Sequence, residues 1–326
     1  VIRAALPLAV LLVGLSGCAA SPPLASGLPA GRPSAIELRD TPFFPQEDYQ
    51  CGPAALATVL NASGVETRPE ALTPQVYLPG RRGTLQAELI GAARRHGRLP
   101  YLLAQTGQAL IAELDEDRPV LVLQNLGFES IPIWHYAVLI GYDASRNVAV
   151  LRSGRRERLE MRWQRFAGSW HRAGRWAIVV LEPGVIPADA EAARYLQAVA
   201  GLEAAGQRRA AAQSYDAALA RWPEEPLAWL GRGNVSYAEG ELTAAADAYA
   251  RAVTLSPDNA AARNNLAQAL ADAGCPAEAR RQLDLAAAHA EGSALAAAIE
   301  ETRARLDAAG DVPATECQLA GRSWPE

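Results

Sequence analysis

The sequence predicts an α+β domain followed by an all-α helical-repeat domain. Three observations predict it. From residue 36 to about 183, apolar segments of helical length come first and β-branched runs of strand length come later, the order of an α+β domain with an antiparallel sheet. Beyond residue 190 the chain becomes Ala-rich helix with a step of 34 residues. Between the two stand Glu182-Pro183-Gly184 and Ile186-Pro187, which end a strand and continue as a linker.

The chain opens on a segment outside that fold. Arg3 supplies a positive charge, and Ala4 to Gly14 is an apolar run too short to remain as a membrane-spanning helix. It closes on Leu15-Ser16-Gly17-Cys18. This end resembles the lipobox of bacterial lipoproteins. The resemblance implies a signal peptide over 1–18, lipidation of Cys18 and contact with a membrane through that lipid anchor. Ala19 rather than Asp follows the cysteine, which places the expected location at the periplasmic face of the outer membrane. Residues 19–35, rich in Ser, Pro, Gly and Ala, read as a flexible tether.

Within 36–183, Pro53 to Asn61 reads as an apolar helix closing near Gly64, with further helices over Leu85 to His96 and Gly107 to Leu114. Val120 to Gln124, His135 to Tyr142, Val148 to Leu151 and Trp176 to Leu181 read as strands. Residues 184–191 are the expected linker, 192–310 the repeats with a closing helix from Ser293 to Ala309, and 311–326 a tail.

The 326 residues are enough for two domains. The net charge is -5 and every Lys-or-Arg position is arginine. An acidic balance argues against nucleic acid as a partner, since phosphate binding needs a basic face. The 4 cysteines, at positions 18, 51, 275 and 317, are too scattered for a disulfide framework or a zinc site. Cys275 and Cys317 could pair in an oxidising compartment, or stay as thiols. No His/Cys/Asp cluster has ligand spacing, so neither metal nor cofactor is expected.

The repeat is explicit. Gly206, Gly240 and Gly274 are 34 residues apart, as are Tyr215, Tyr249 and Leu283, and Ala218, Ala252 and Ala286. Trp229, Gly233, Tyr237, Gly240, Ala245, Tyr249, Ala252 and Pro257 match the tetratricopeptide (TPR) pattern best. The resemblance implies stacked helix pairs whose groove binds a protein or peptide partner. Asn234 and Asn265 are candidate groove residues, or ordinary solvated polar positions.

The chemistry sits in Gln46-Glu47-Asp48-Tyr49-Gln50-Cys51-Gly52-Pro53-Ala54-Ala55-Leu56. A cysteine immediately before a helix meets free backbone N–H groups and the positive end of the helix dipole, which favour thiolate. Gly52 allows close backbone approach, and Pro53 suits a first turn where its missing N–H costs nothing. Gln46 is placed to donate an amide hydrogen bond toward the same point. Far downstream, Trp134-His135-Tyr136-Ala137-Val138-Leu139 sets a histidine at the start of an apolar strand. A nucleophile at a helix start and a base on a distant strand is the arrangement of cysteine hydrolases. A lone cysteine before an apolar helix is otherwise a buried structural thiol. His96, His171 and His289 read as surface or helix-end residues.

These motifs, Gln then Cys-Gly-Pro-Ala-Ala-Leu, and His-Tyr-Ala-Val leading to Gly-Tyr-Asp, resemble the papain-like peptidases of the double-glycine-leader, or bacteriocin-processing, family over about 38–183. The resemblance implies a papain-like cysteine peptidase domain acting on a peptide or protein substrate. Cys51 would be the nucleophile, His135 the general base, and Gln46 the oxyanion donor beside the Cys51 N–H. Two departures stand out. The Gln is one residue nearer the Cys than in transporter-fused members. The family's acid at the end of the strand after the His strand is missing from Val150-Leu151-Arg152-Ser153-Gly154. Asp143 would then orient His135, or Ser153 or a backbone carbonyl would. The missing acid also motivates a weak or inactive domain serving as an envelope scaffold with the repeats. The same dyad could equally serve an acyltransferase or amidase.

Overall fold

The computed structural model describes residue 24 and residues 32–45, 50–290, 292–308 and 317–326. The expected signal segment with Cys18, and Gln46, lie outside the described residues.

Helix α1 (Cys51–Ala62) is apolar on all sides, and Gly52 to Leu60 are all buried. Such a helix must be covered all round. It lies with α2 (Pro69–Val76) and α3 (Gln86–Arg95) on one face of a seven-stranded antiparallel sheet. The strands run β4 (Leu99–Leu102), β9 (Ala177–Leu181), β5 (Val120–Asn125), β6 (Trp134–Asp143), β7 (Val148–Ser153) and β8 (Arg156–Arg162). Strand β1 (Ala35–Glu37) pairs with Gly141 to Asp143 of β6. Period-two alternation divides the core. Leu121, Leu123, Tyr136, Val138, Ile140 and Ile178 meet Leu56, Leu60, Leu72 and Leu89 on the α1 side. Val120, Val122, Ala137, Leu139, Leu151 and Val179 meet α4 (Gly107–Leu114) and α5 (Trp163–His171) on the other. Each such side chain stabilises the fold by about 1.5–3 kcal/mol through burial alone. A short hairpin, β2 (Tyr77–Leu78) and β3 (Gly83–Thr84), stands beside α1 around a 3-10 turn over Pro79–Arg81.

The repeats form three helix pairs, α6 (Ala192–Ala204) with α7 (Arg208–Arg221), α8 (Pro226–Ala238) with α9 (Leu242–Leu255), and α10 (Ala260–Asp272) with α11 (Pro276–Ala288). Helix α12 (Leu295–Ala308) follows. Gly206, Gly240 and Gly274 turn the chain within each pair at φ of 74°, 79° and 75°, a region that glycine enters at little cost. At Gly233 the reason for glycine is different: a Cβ there would stand 2.5 Å from the Tyr249 ring.

Within the expected tether, linker and tail, described residues are fastened to the rest of the chain. Leu24 is 3% exposed and its N–H bonds Asn147 Oδ1 at 2.9 Å, while Arg32 pairs with Asp115. The linker 184–191 is fastened. Buried Glu113 accepts from the Ala188 N–H at 2.8 Å, and the Tyr101 hydroxyl bonds Asp189 O and the Glu191 N–H. Tyr195, Leu196, Val199 and Leu202 of α6 join Leu99 and Tyr101 of β4 in one continuous core. The tail is tied back by the Cys275–Cys317 disulfide, and Arg263 and Gln282 hydrogen-bond Glu326 O and Pro325 O.

Candidate active site

Helix α1 begins at Cys51 without a side-chain cap, so its first N–H groups remain available. Cys51 is half-buried and is the free cysteine among the described residues. The backbone N–H groups of Tyr136, Gly52 and Cys51 itself favour its thiolate. Burial outweighs these donors and pushes the thiol above its ordinary range. Gly52 is required by packing, because a Cβ there would lie 2.5 Å from Thr84 Cβ and Oγ1. That Thr84 hydroxyl is buried with no hydrogen-bond partner among the described residues, and it borders the cavity over Cys51.

The cavity holds about 760 Å³ and is lined by Cys51, His135, Thr84, Leu85, Trp134 and Arg155, among others. His135 therefore opens on the same space as Cys51. No hydrogen bond joins the two side chains among the described residues. His135 Nε2 lies 2.8 Å from Ser153 Oγ, within hydrogen-bond distance. Burial lowers the His135 pKa, with no carboxylate among the described residues to oppose it. Burial thus disfavours the charged form of both groups.

Of the two side chains expected to orient His135, the structure selects Ser153. Asp143 closes β6 at the other end, eight residues along the strand, or roughly 26 Å at strand rise. There it accepts from Ser145 Oγ at 2.7 Å and the Arg146 N–H at 3.0 Å, an Asx turn between β6 and β7. These bonds hold its carboxyl below the usual range, and it does not reach the site. Beside Ser153, the buried Arg152 donates to Thr41 O, Arg39 O and Glu157 O, pinning the turn that follows β1.

His96, His171 and His289 do not line the cavity. His289 sits 3.5 Å from Asp258. Asn234 and Asn265 bond each other at 3.0 Å, and Asn234 accepts from the Tyr249 hydroxyl at 3.1 Å, so they tie neighbouring helices together. Thr84, Arg81, Arg82 and Arg155 were not singled out in the sequence. Thr84 carried no signal there, because only the packing of β3 on Gly52 brings it to the site.

Residues 38–178 match the family described as the Peptidase_C39 like family, and residues 196–260 match a tetratricopeptide repeat. No curated protein matches the chain. Among solved structures, a C39-like peptidase from Bacillus anthracis aligns at 18% identity and TM-score 0.39, over 45% of this chain and 98% of its own. The peptidase domain of ComA from Streptococcus, a bi-functional ABC transporter involved in quorum sensing, aligns at 22% identity and TM-score 0.35, over 43% of this chain and 98% of its own. The chain is a C39-like peptidase domain, an α+β sheet with helices, followed by a helical TPR region.

Proposed function

We propose that the protein is a cysteine peptidase of the cell envelope, held to the membrane through a lipid on Cys18, with its repeats binding a protein or peptide partner. The observation that carries the enzymatic reading is the cavity that Cys51 and His135 line together, with Cys51 at the start of α1. His135 Nε2–H donates to Ser153 Oγ and so presents Nδ1 as the base. The thiol proton passes to Nδ1 as sulfur attacks the peptide carbonyl. The oxyanion takes the Cys51 N–H, with the Gln46 amide as the proposed second donor. His135 then returns the proton to the leaving amine, and water hydrolyses the thioester.

A second reading is favoured by one observation: Ser153 stands where an acid would steady the imidazolium. On that reading turnover is low and the domain is a scaffold. Labelling with a peptidyl electrophile separates the two. Cys51 should be modified in the wild type and not in His135→Ala, and peptide turnover should vanish in Cys51→Ala. Equal labelling of both proteins, with no turnover by either, would leave the scaffold.

A further inference from the structure

The cavity over Cys51 carries charge that the peptidase chemistry does not use. Arg81 and Arg82 stand at the β2–β3 turn, and Arg155 at the β7–β8 turn, all lining the cavity. All three are exposed, and none of their side chains makes a hydrogen bond or ion pair with a described residue. No acidic side chain lines the cavity among those residues. Other arginines of the chain, whose net charge is -5, are paired with acids, among them Arg118 with Glu113, Arg158 with Glu37 and Arg303 with Asp284. The cleft is therefore a basic opening in an acidic protein. Arg82 also holds a φ of 47°. That left-handed conformation costs a non-glycine residue about 1–2 kcal/mol, and strain kept in a cleft points to use.

We propose that Arg81, Arg82 and Arg155 select peptides with carboxylate side chains close to the bond that Cys51 attacks. This rests on the peptidase reading and names its substrate class. A guanidinium fork matches a carboxylate in two parallel hydrogen bonds, which a neutral amide cannot reproduce. Arginines on two separate turns of the rim allow for carboxylates at two points along one extended peptide.

The test uses the full chain carrying Cys51→Ala, which binds without turnover. Fluorescent Gly/Ala peptides with two central Glu residues are compared with the same peptides carrying Gln or Arg, by anisotropy. The Glu peptide should bind about tenfold tighter than the Gln peptide at low ionic strength, with the margin shrinking as salt rises. Arg81→Gln, Arg82→Gln and Arg155→Gln should each reduce the margin roughly two- to fivefold. Equal binding of Glu and Gln peptides would overturn the proposal. So would a margin unchanged in the triple variant, above all if that variant lost the same thermal stability as Glu47→Gln/Asp48→Asn, since the arginines would then serve the chain's own acids. A charge preference in binding with no turnover by the wild type would sink the peptidase reading instead. Equal kcat/KM for acidic and neutral peptides would retain that reading and reject the selection.

Discussion

Ser153→Asp tests the reasoning about the site from the side of gain. In the wild type the imidazole has a hydroxyl 2.8 Å from Nε2 and no charge to steady a proton on the ring. Burial therefore lowers its pKa below the ordinary value of about 6.5. An aspartate at 153 would put a negative charge within about 3–4 Å of the ring, where an opposite charge typically raises a pKa by about 1–3 units. Each unit is about 1.4 kcal/mol in favour of imidazolium, and an imidazolium beside Cys51 favours thiolate in turn. In the wild type, alkylation of Cys51 by iodoacetamide should rise with pH only above the ordinary thiol range, as burial requires. In Ser153→Asp a second reactive plateau should open at lower pH, and peptide turnover should rise about tenfold. A folded Ser153→Asp protein with an unchanged alkylation profile would refute the claim that burial, with no charge at this position, disfavours the charged forms of the pair. Ser153→Ala is the converse, expected to cost about tenfold in kcat while leaving KM in place.

Gly52→Ala should disable the site, because its Cβ collides with Thr84 at 2.5 Å; a stability loss of about 1–3 kcal/mol by denaturant titration and a larger loss of turnover are expected. Arg152→Met should release residues 39–41 from β7, read as faster proteolysis there, at a cost of about 1–3 kcal/mol for carbonyls left unpaired. Glu113→Ala should free the segment at Ala188 and leave Arg118 without its carboxylate, lowering stability by about 1–3 kcal/mol. The lowered His135 pKa means the unfolded chain binds more protons than the folded one below about pH 6.5, so stability should fall as pH drops through that value. Urea midpoints measured from neutral pH downward check this, and His135→Gln should flatten that part of the curve.

What was legible in the sequence followed from how strongly each element's pattern was written. Val120 to Asn125 and Ala177 to Leu181 are buried on both faces, and their unbroken apolar runs announce central strands. Strand β8 is an edge, and Arg156, Glu157 and Arg158 hide it behind charge of the kind edges carry. Strand β4 holds Pro100, which suits an edge strand but reads as a breaker, and Pro69 and Pro74 masked α2 in the same way. Cys51 and His135 were readable because each stands at the start of a strongly apolar element. Asp143 stands eight residues from His135 on one strand, so its distance was readable, but the meeting of Ser153 with the ring was not, because it depends on register. Ladder irregularities between Leu139 and Gly141 and between Leu151 and Ser153 decide which β7 side chain meets the ring.

The docking of the first repeat was hidden for a related reason: it rests on residues that look unremarkable in isolation. Tyr101 comes from a four-residue edge strand, yet it is fully buried and its hydroxyl holds the chain at Asp189 and Glu191. Gly201 is a small residue in α6 because the Arg94 guanidinium lies 2.2 Å from where its Cβ would stand. Gln207 reaches back to Arg95 O at 3.3 Å. The sheet face under α4 and α5 thus continues into α6, α7 and α8 without a break in the apolar core. Contacts of this kind couple unfolding, since α6 cannot leave without exposing Leu99 and Tyr101 to water. The remaining repeats share a second core, centred on Ala245 to Ala290 and closed by α12 and the tail. The apolar core of the sheet therefore does not stop at the proline-rich segment where composition changes, and α8, which also packs on α9, joins it to the second core. The helix pair α6/α7 thus belongs mechanically to the peptidase domain, and a partner held there would be held in a fixed relation to the cleft.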